Sequence, residues 1–134
     1  MNTDTEILER AETLERETDP NDVVDCMVMV DFFNSQMKGT KENLPLLQKV
    51  HKILGKNVVE AIKKWRDTPT FEVFMGEHKG ELSTTNDYDS TKGDMVLCGE
   101  NIGVIKEVRE GTTDKIFIVH TTDGQEIPIR AVQK

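Results

Sequence analysis

Around Gly93 the spacing of apolar residues changes from three-and-four to two, and that change constrains the fold more than any other feature of the chain. Before residue 67 the apolar positions recur with the period of a helix. After Gly93 they alternate as in strands, with turn residues between the runs. Helical segments that come first, followed by strands, predict an α+β protein rather than an alternating α/β one. The expected architecture is an N-terminal helical bundle of about four short helices and a C-terminal five-stranded mini-barrel. The expected organisation is a helical domain over 1–66, a polar linker with a short helix or strand around Phe71–Met75 over 67–92, and a β-domain over 93–134. One hundred and thirty-four residues suffice for one domain or two very small ones.

Residues 5–17 predict an amphipathic helix. Ile7, Leu8, Ala11 and Leu14 form its apolar stripe, and Glu6–Arg10 and Glu12–Arg16 are spaced for i,i+4 ion pairs. Thr18 or Asp19 followed by Pro20 predicts the start of a second helix, which runs to a stop at Gly39. That helix is apolar nearly all round between Cys26 and Val30, with Phe32 and Phe33 just after. A helix apolar on every side must be covered on every side, so Val24, Met27, Val28, Phe32 and Phe33 are candidates for self-association or partner docking. Asn43 predicts the cap of a third helix over 44–54, ending at Gly55. Asn57 predicts the cap of a fourth over 58–66, with Glu60 at the capping-box position. Val50, Ile53, Leu54, Val58, Ala61, Ile62 and Trp65 are expected inside, and Lys49, Lys52, Lys56 and Lys63 outside.

Strands are expected at 94–98, 102–109, 115–121, 125–130 and 131–133. The Asp123-Gly124 pair is the signal of a type I′ hairpin. In the second strand the apolar positions slip from Ile102 and Val104 to Ile105 and Val108, which predicts a bulge or bend. Closing such short strands into a barrel hides their edges. The stretch "GDMVLCGENIGVIKEV…KIFIVHTTDGQEIPIRAVQK" resembles an SH3-like small barrel of the KOW/tudor type. The shared features are the opening Gly-Asp-x-Val, Gly103-Val104-Ile105 leading into a bent strand, and the closing "AVQ". The resemblance covers the last third of the chain and implies a binding module; residues 1–92 resemble no particular family.

Charge is banded. Residues 1–35 carry −8, residues 36–66 carry +6 and residues 67–134 carry −6, for the net −8 of the chain. The acidic first band suits docking on a basic partner or imitation of a phosphate backbone, the alternative being a solvated helix face. The basic band offers a nucleic-acid contact through Lys49, Lys52, Lys56 and Lys63, and "KVHKILGKNVVEAIKKWR" has the outline of a helix-turn-helix around Gly55. Against that outline, His51 stands where a small residue is needed and Lys56 where an apolar one is buried. The alternative is that the lysines pair with the acidic first helix or are simply solvated.

Catalytic and metal patterns are weak. Cys26 and Cys98 lie far apart and are expected as buried, reduced thiols. The three histidines are scattered, and no zinc spacing is present. "DYDSTKGD" places Asp87, Asp89 and Thr91 like the start of a calcium loop, but Lys92 and Cys98 occupy the positions of its glycine and its bidentate glutamate. His120 beside Thr121, Thr122 and Asp123 is expected at a strand end rather than in a relay, and Asp25 and Asp31 at the solvent edge of their helix. In the barrel region Phe117 and Tyr88 are too few for a methyl-lysine cage.

The expected function is therefore non-enzymatic: a small cytoplasmic adaptor, accessory or assembly protein, of a kind that viruses and phages also encode. It acts through protein–protein contacts, with a homodimer among the arrangements expected, and without cofactor, metal or membrane span. The runner-up is a nucleic-acid-associated regulator using 49–66. An enzyme would require a deep pocket gathering residues unrelated in sequence.

Overall fold

The computed structural model describes residues 3–38, 42–73 and 82–133 and divides into two compact units, Met1–Asp67 and Thr68–Lys134. The first is helical and the second is a sheet. No helix of the described residues is long and apolar enough to cross a membrane.

The helical unit contains α1 (Asp4–Glu17), α2 (Val23–Met37) and α3 (Leu44–Trp65). Thr3 caps α1 by accepting from the Glu6 N–H at 3.2 Å. The expected Glu6–Arg10 and Glu12–Arg16 pairs are not formed; among the described residues α1 makes no ion pair. Asp22, rather than Thr18 or Asp19, caps α2. Its Oδ1 accepts from the N–H groups of Val24 and Asp25 at 2.9 and 3.1 Å, and Pro20 stays in the preceding turn. The Gly39 stop lies outside the described residues.

The four-helix expectation is corrected to three, because 44–54 and 58–66 are one helix. Leu47, Val50, Leu54, Val58, Ala61 and Ile62 keep one unbroken apolar stripe through Gly55. Packing that stripe against both α1 and α2 outweighs the roughly 1 kcal/mol that a mid-helix glycine costs. Asn57 is consequently a mid-helix residue and not a cap, and no helix-turn-helix exists there. Asn43 does stand at the start of α3, although its side chain makes no capping bond. Trp65, expected inside, is 37% exposed, with its Nε1 donating to the Pro20 carbonyl at 3.4 Å.

The second unit is a six-stranded mixed sheet: β1 (Thr70–Phe71), β2 (Ser83–Thr85), β3 (Met95–Cys98), β4 (Asn101–Glu110), β5 (Asp114–Thr121) and β6 (Glu126–Val132), in the order β1-β3-β4-β5-β6-β2. β3 to β6 form an antiparallel meander. β1 adds parallel to β3 and β2 parallel to β6, so residues 67–92, expected as linker, supply both edge strands. Phe71 starts the expected Phe71–Met75 element as the end of β1; Phe74 and Met75 lie outside the described residues. Among the described residues the edges meet at one isolated antiparallel bridge, Glu72 to Thr84, and no ladder closes the sheet.

The predicted bend is present. Ile105 faces Val119 and Glu107 faces Ile118, leaving Lys106 as the inserted residue. The two expected last strands are one, since Ile127, Ile129 and Ala131 stay in phase along an unbroken pairing with β5. The Asp123-Gly124 turn is not type I′. Only Gly124 has positive φ, at 87°, and the Gly124 N–H donates to the Thr121 carbonyl, so the turn precedes a left-handed glycine. Phe71 and Phe117 stack at 5.8 Å in the centre of this unit's core.

Candidate functional site

The helical unit carries the chemistry-bearing surfaces, and α2 shows how its residues divide. Cys26, Met29, Val30, Phe33 and Met37 recur at three- and four-residue spacing and are buried. The apolar residues between them are left on the outside. Val24 is 67% exposed, Val28 45% and Val23 44%, with Met27 and Phe32 half-buried beside them. Of the five candidate docking residues, Val24, Met27, Val28 and Phe32 thus border one exposed face. Phe33 is a correction: it is fully buried, its ring set edge-on to His51 at 6.1 Å, and it cannot dock anything. Val23 was missed, because in sequence it is one more valine in a continuous apolar run.

Carboxylates frame this valine face. Asp22 holds the first turn, Asp25 accepts from the Asp19 N–H at 3.3 Å, and Asp31 is exposed with Arg66 Nη1 at 3.4 Å. As expected, Asp25 and Asp31 mark the helix's solvent side. The patch is apolar at its centre and acidic at its margins.

The four candidate lysines of α3 are all exposed. At about 100° per residue, Lys49, Lys52, Lys56 and Lys63 fall within a sector of about 60°, opposite the buried stripe. Glu60 falls about 20° beyond the edge of that sector and is also exposed. Among the described residues, Lys49, Lys52 and Lys56 have no ion-pair partner. The acidic α1 does not neutralise them: it packs through Ala11 and Leu14 and makes no ion pair among the described residues.

A cleft of about 410 Å³ opens among the end of α1, the α1–α2 turn, α2 and the second half of α3, lined by Glu15, Pro20, Cys26, Met29, Glu60 and Lys64 among others. Lys64 Nζ is bound to Asn21 Oδ1 at 3.0 Å and to the Pro20 carbonyl at 3.4 Å. Cys26 Sγ points to the Asp19 carbonyl at 3.5 Å. No histidine lines the cleft, and burial pushes the Cys26 thiol up from its ordinary value, away from the nucleophilic thiolate.

In the sheet unit the remaining motifs serve local structure. His120 Nε2 lies 3.4 Å from Glu126 Oε1 on the paired strand, and Thr121 Oγ1 bonds Asp123 to brace the turn. Asp87 accepts from Thr85 Oγ1 and Asp94 from the Thr91 N–H, so the carboxylates around "DYDSTKGD" hold turns. Phe117 is buried in the core, and Lys115 Nζ sits 4.2 Å over the Tyr88 ring. No aromatic groove is present among the described residues. Compared with protein-family models, with characterised proteins and with solved structures, the chain matches none.

Proposed function

We propose that this chain is a non-enzymatic adaptor or accessory protein of the cytoplasm that docks a partner protein on the outer face of α2. The observation that carries this is the exposure of Val23, Val24 and Val28 together on one helix, beside buried Met29, Val30 and Phe33. Burying those three exposed fractions is worth on the order of 2–5 kcal/mol gross. That falls short of the roughly 4–15 kcal/mol cost of association, so the valines are the centre of a wider contact. The acidic margin of Asp22, Asp25 and Asp31 defines what surrounds them: a partner helix with an apolar stripe flanked by Lys or Arg. Two free thiols, both buried, suit a reducing compartment. The sheet unit supports the SH3-like reading through its bent β4 and the edge contact at Glu72–Thr84, and its role is to close a fold rather than to grip a ligand. Nucleic-acid recognition through 49–66 is disfavoured by the uninterrupted α3 and by the net −8 charge.

The test is a photo-crosslinking residue at Val23 in the host cell, placed in the otherwise wild-type chain and in a chain that also carries Val24→Asp/Val28→Asp as the control. The expected result is crosslinks to a helix bearing an apolar stripe with basic flanks, and about tenfold or greater loss of that partner in the double variant. Undiminished capture by a double variant of unchanged helicity would show that α2 is not the docking face.

A further inference from the structure

The pair that spacing marks as a capping box, Asn57 and Glu60, caps nothing, because α3 runs unbroken through both. With Ala61 and Lys64 they follow at i, i+3, i+4 and i+7, so all four stand on one face of α3. That face is one wall of the cleft of about 410 Å³ in the helical unit. Its other walls are Glu15 and Thr18 at the end of α1, Pro20 in the turn that follows, and Cys26 and Met29 of α2. The volume lies at the small end of the roughly 300–1,000 Å³ that ligand pockets occupy.

The lining divides by chemistry. Cys26, Met29 and Ala61 are buried and, with Pro20, make its apolar part. The side chains of Glu15, Glu60, Asn57 and Thr18 make no hydrogen bond or ion pair among the described residues. Two carboxylates and an amide carbonyl are thus uncommitted acceptors in one cavity. Lys64 is already engaged: its Nζ donates to Asn21 Oδ1 at 3.0 Å and to the Pro20 carbonyl at 3.4 Å, which uses two of its three hydrogens. Two carboxylates against one ammonium leave the lining at −1. Glu15 also stands in the last turn of α1, where the negative end of the helix dipole deepens the potential.

We infer that this cleft binds a small organic ammonium ion. Glu15, Glu60 and the Asn57 carbonyl take its charged head, and its short alkyl body lies against Met29, Ala61 and Pro20. Three uncommitted acceptors match the three hydrogens of a primary ammonium. A calcium ion matches less well, because it takes about six to eight oxygen ligands, and no three His, Cys, Asp or Glu among the described residues are grouped to hold a metal. An anion matches less well, because it faces both carboxylates and finds one Lys64 hydrogen. The cleft uses Cys26 and Met29 on the buried side of α2 and neither Val24 nor Val28, so the inference does not rest on the docking proposed for that helix.

Titration of the full chain with n-butylammonium chloride, followed by two-dimensional proton–nitrogen NMR, tests this. The expected result is saturable shifts of the Asn57, Glu60 and Ala61 amides with a Kd on the order of 1 mM, and none with n-butanol or sodium n-butyrate at the same concentrations. Glu15→Gln and Glu60→Gln should each raise that Kd by about three- to tenfold, and the double variant by more. Neither carboxylate holds the fold through a bond, so each variant should unfold at no lower urea concentration than wild type, which separates lost binding from lost structure. Equal shifts with n-butanol overturn the inference, since the cleft then selects only for an apolar body. Tighter binding of n-butyrate overturns it in favour of Lys64 and an anion. Shifts confined to Val24 and Val28 overturn it by placing the probe on the outer face of α2. A titration still unsaturated at about ten times the expected Kd, or a double variant that binds as wild type does, overturns it as well.

Discussion

Gly55 shows how one residue can carry two opposite messages. In sequence it stops one helix and starts another; in the structure it is buried in the interior of α3. The missing side chain makes room for His51, one turn earlier, whose ring atoms would lie 2.6 Å from a Cβ at position 55. That ring also packs edge-on against Phe33, so it is held from both sides. Gly55→Ala should therefore forfeit the roughly 1 kcal/mol helix gain of alanine to an overpacking cost of about 1–3 kcal/mol. In a His51→Ala background the same change should stabilise by about 1 kcal/mol, and urea unfolding of the four chains reads the reversal. The same sign in both backgrounds would remove His51 as the cause. No pattern of apolar spacing reveals a ring lying over a glycine, which is why the helix break was expected there. Cys98 was legible as a buried thiol. Burial, with the Asp123 carboxylate adding to it, pushes the thiol up from 9.0 to about 11. The folded state thus keeps a proton that the unfolded chain releases above about pH 9. Stability fully present below that pH should fall by about 2–3 kcal/mol as pH rises from 9 to 11. Unfolding curves of wild type and Cys98→Ala across that range should converge; a constant gap between them contradicts the shift.

At the scale of elements, spacing foresaw existence and type better than boundaries. α1, α2 and the meander β3–β6 were legible because each carries its own period, and the bulge because the period slips at Ile105. β2 was not, and β1 only as a short element of undecided type from Phe71, because two- and three-residue strands are created by pairing with β3 and β6 rather than by their own residues. α2 was half legible. Its all-round apolarity announced a face needing cover, but which phenylalanine lies inside depends on where α3 sits. Phe32 and Phe33 are adjacent, about 100° apart, and only Phe33 is sealed between helices. Phe33→Ala should cost about 3–5 kcal/mol, while Phe32→Ala should cost clearly less, since its side chain already reaches water. Thermal denaturation followed through the helical circular dichroism signal separates the two. Equal losses would mean that Phe32 is as much a core residue as its neighbour.

For the whole molecule, the banded charge was plain in the sequence, but its consequence was not. Asp31 of the acidic band reaches Arg66 of the basic one, while α1, which carries most of the acids, makes no ion pair among the described residues, and no one-dimensional pattern records that. The division into two units gives the molecule two separate cores, and each holds one of the two thiols: Cys26 with Met29 and Phe33 on α2, and Cys98 with Phe71 and Phe117 in the sheet. Each thiol is thereby a reporter of its own core. In native buffer both should alkylate slowly, Cys98 because reagent reaches it only when the sheet unit opens, and Cys26 because it shows only 2% of its surface to the cleft it lines. Phe33→Ala should speed labelling of Cys26, and Phe117→Ala that of Cys98, by on the order of 10²–10³-fold, the factor that a loss of about 3–5 kcal/mol implies. Peptide-resolved mass spectrometry after timed alkylation measures each site separately. Cys98 labelling in Phe117→Ala that stayed within about threefold of wild type would mean that the thiol is reached by local fraying of β3 rather than by opening of the core.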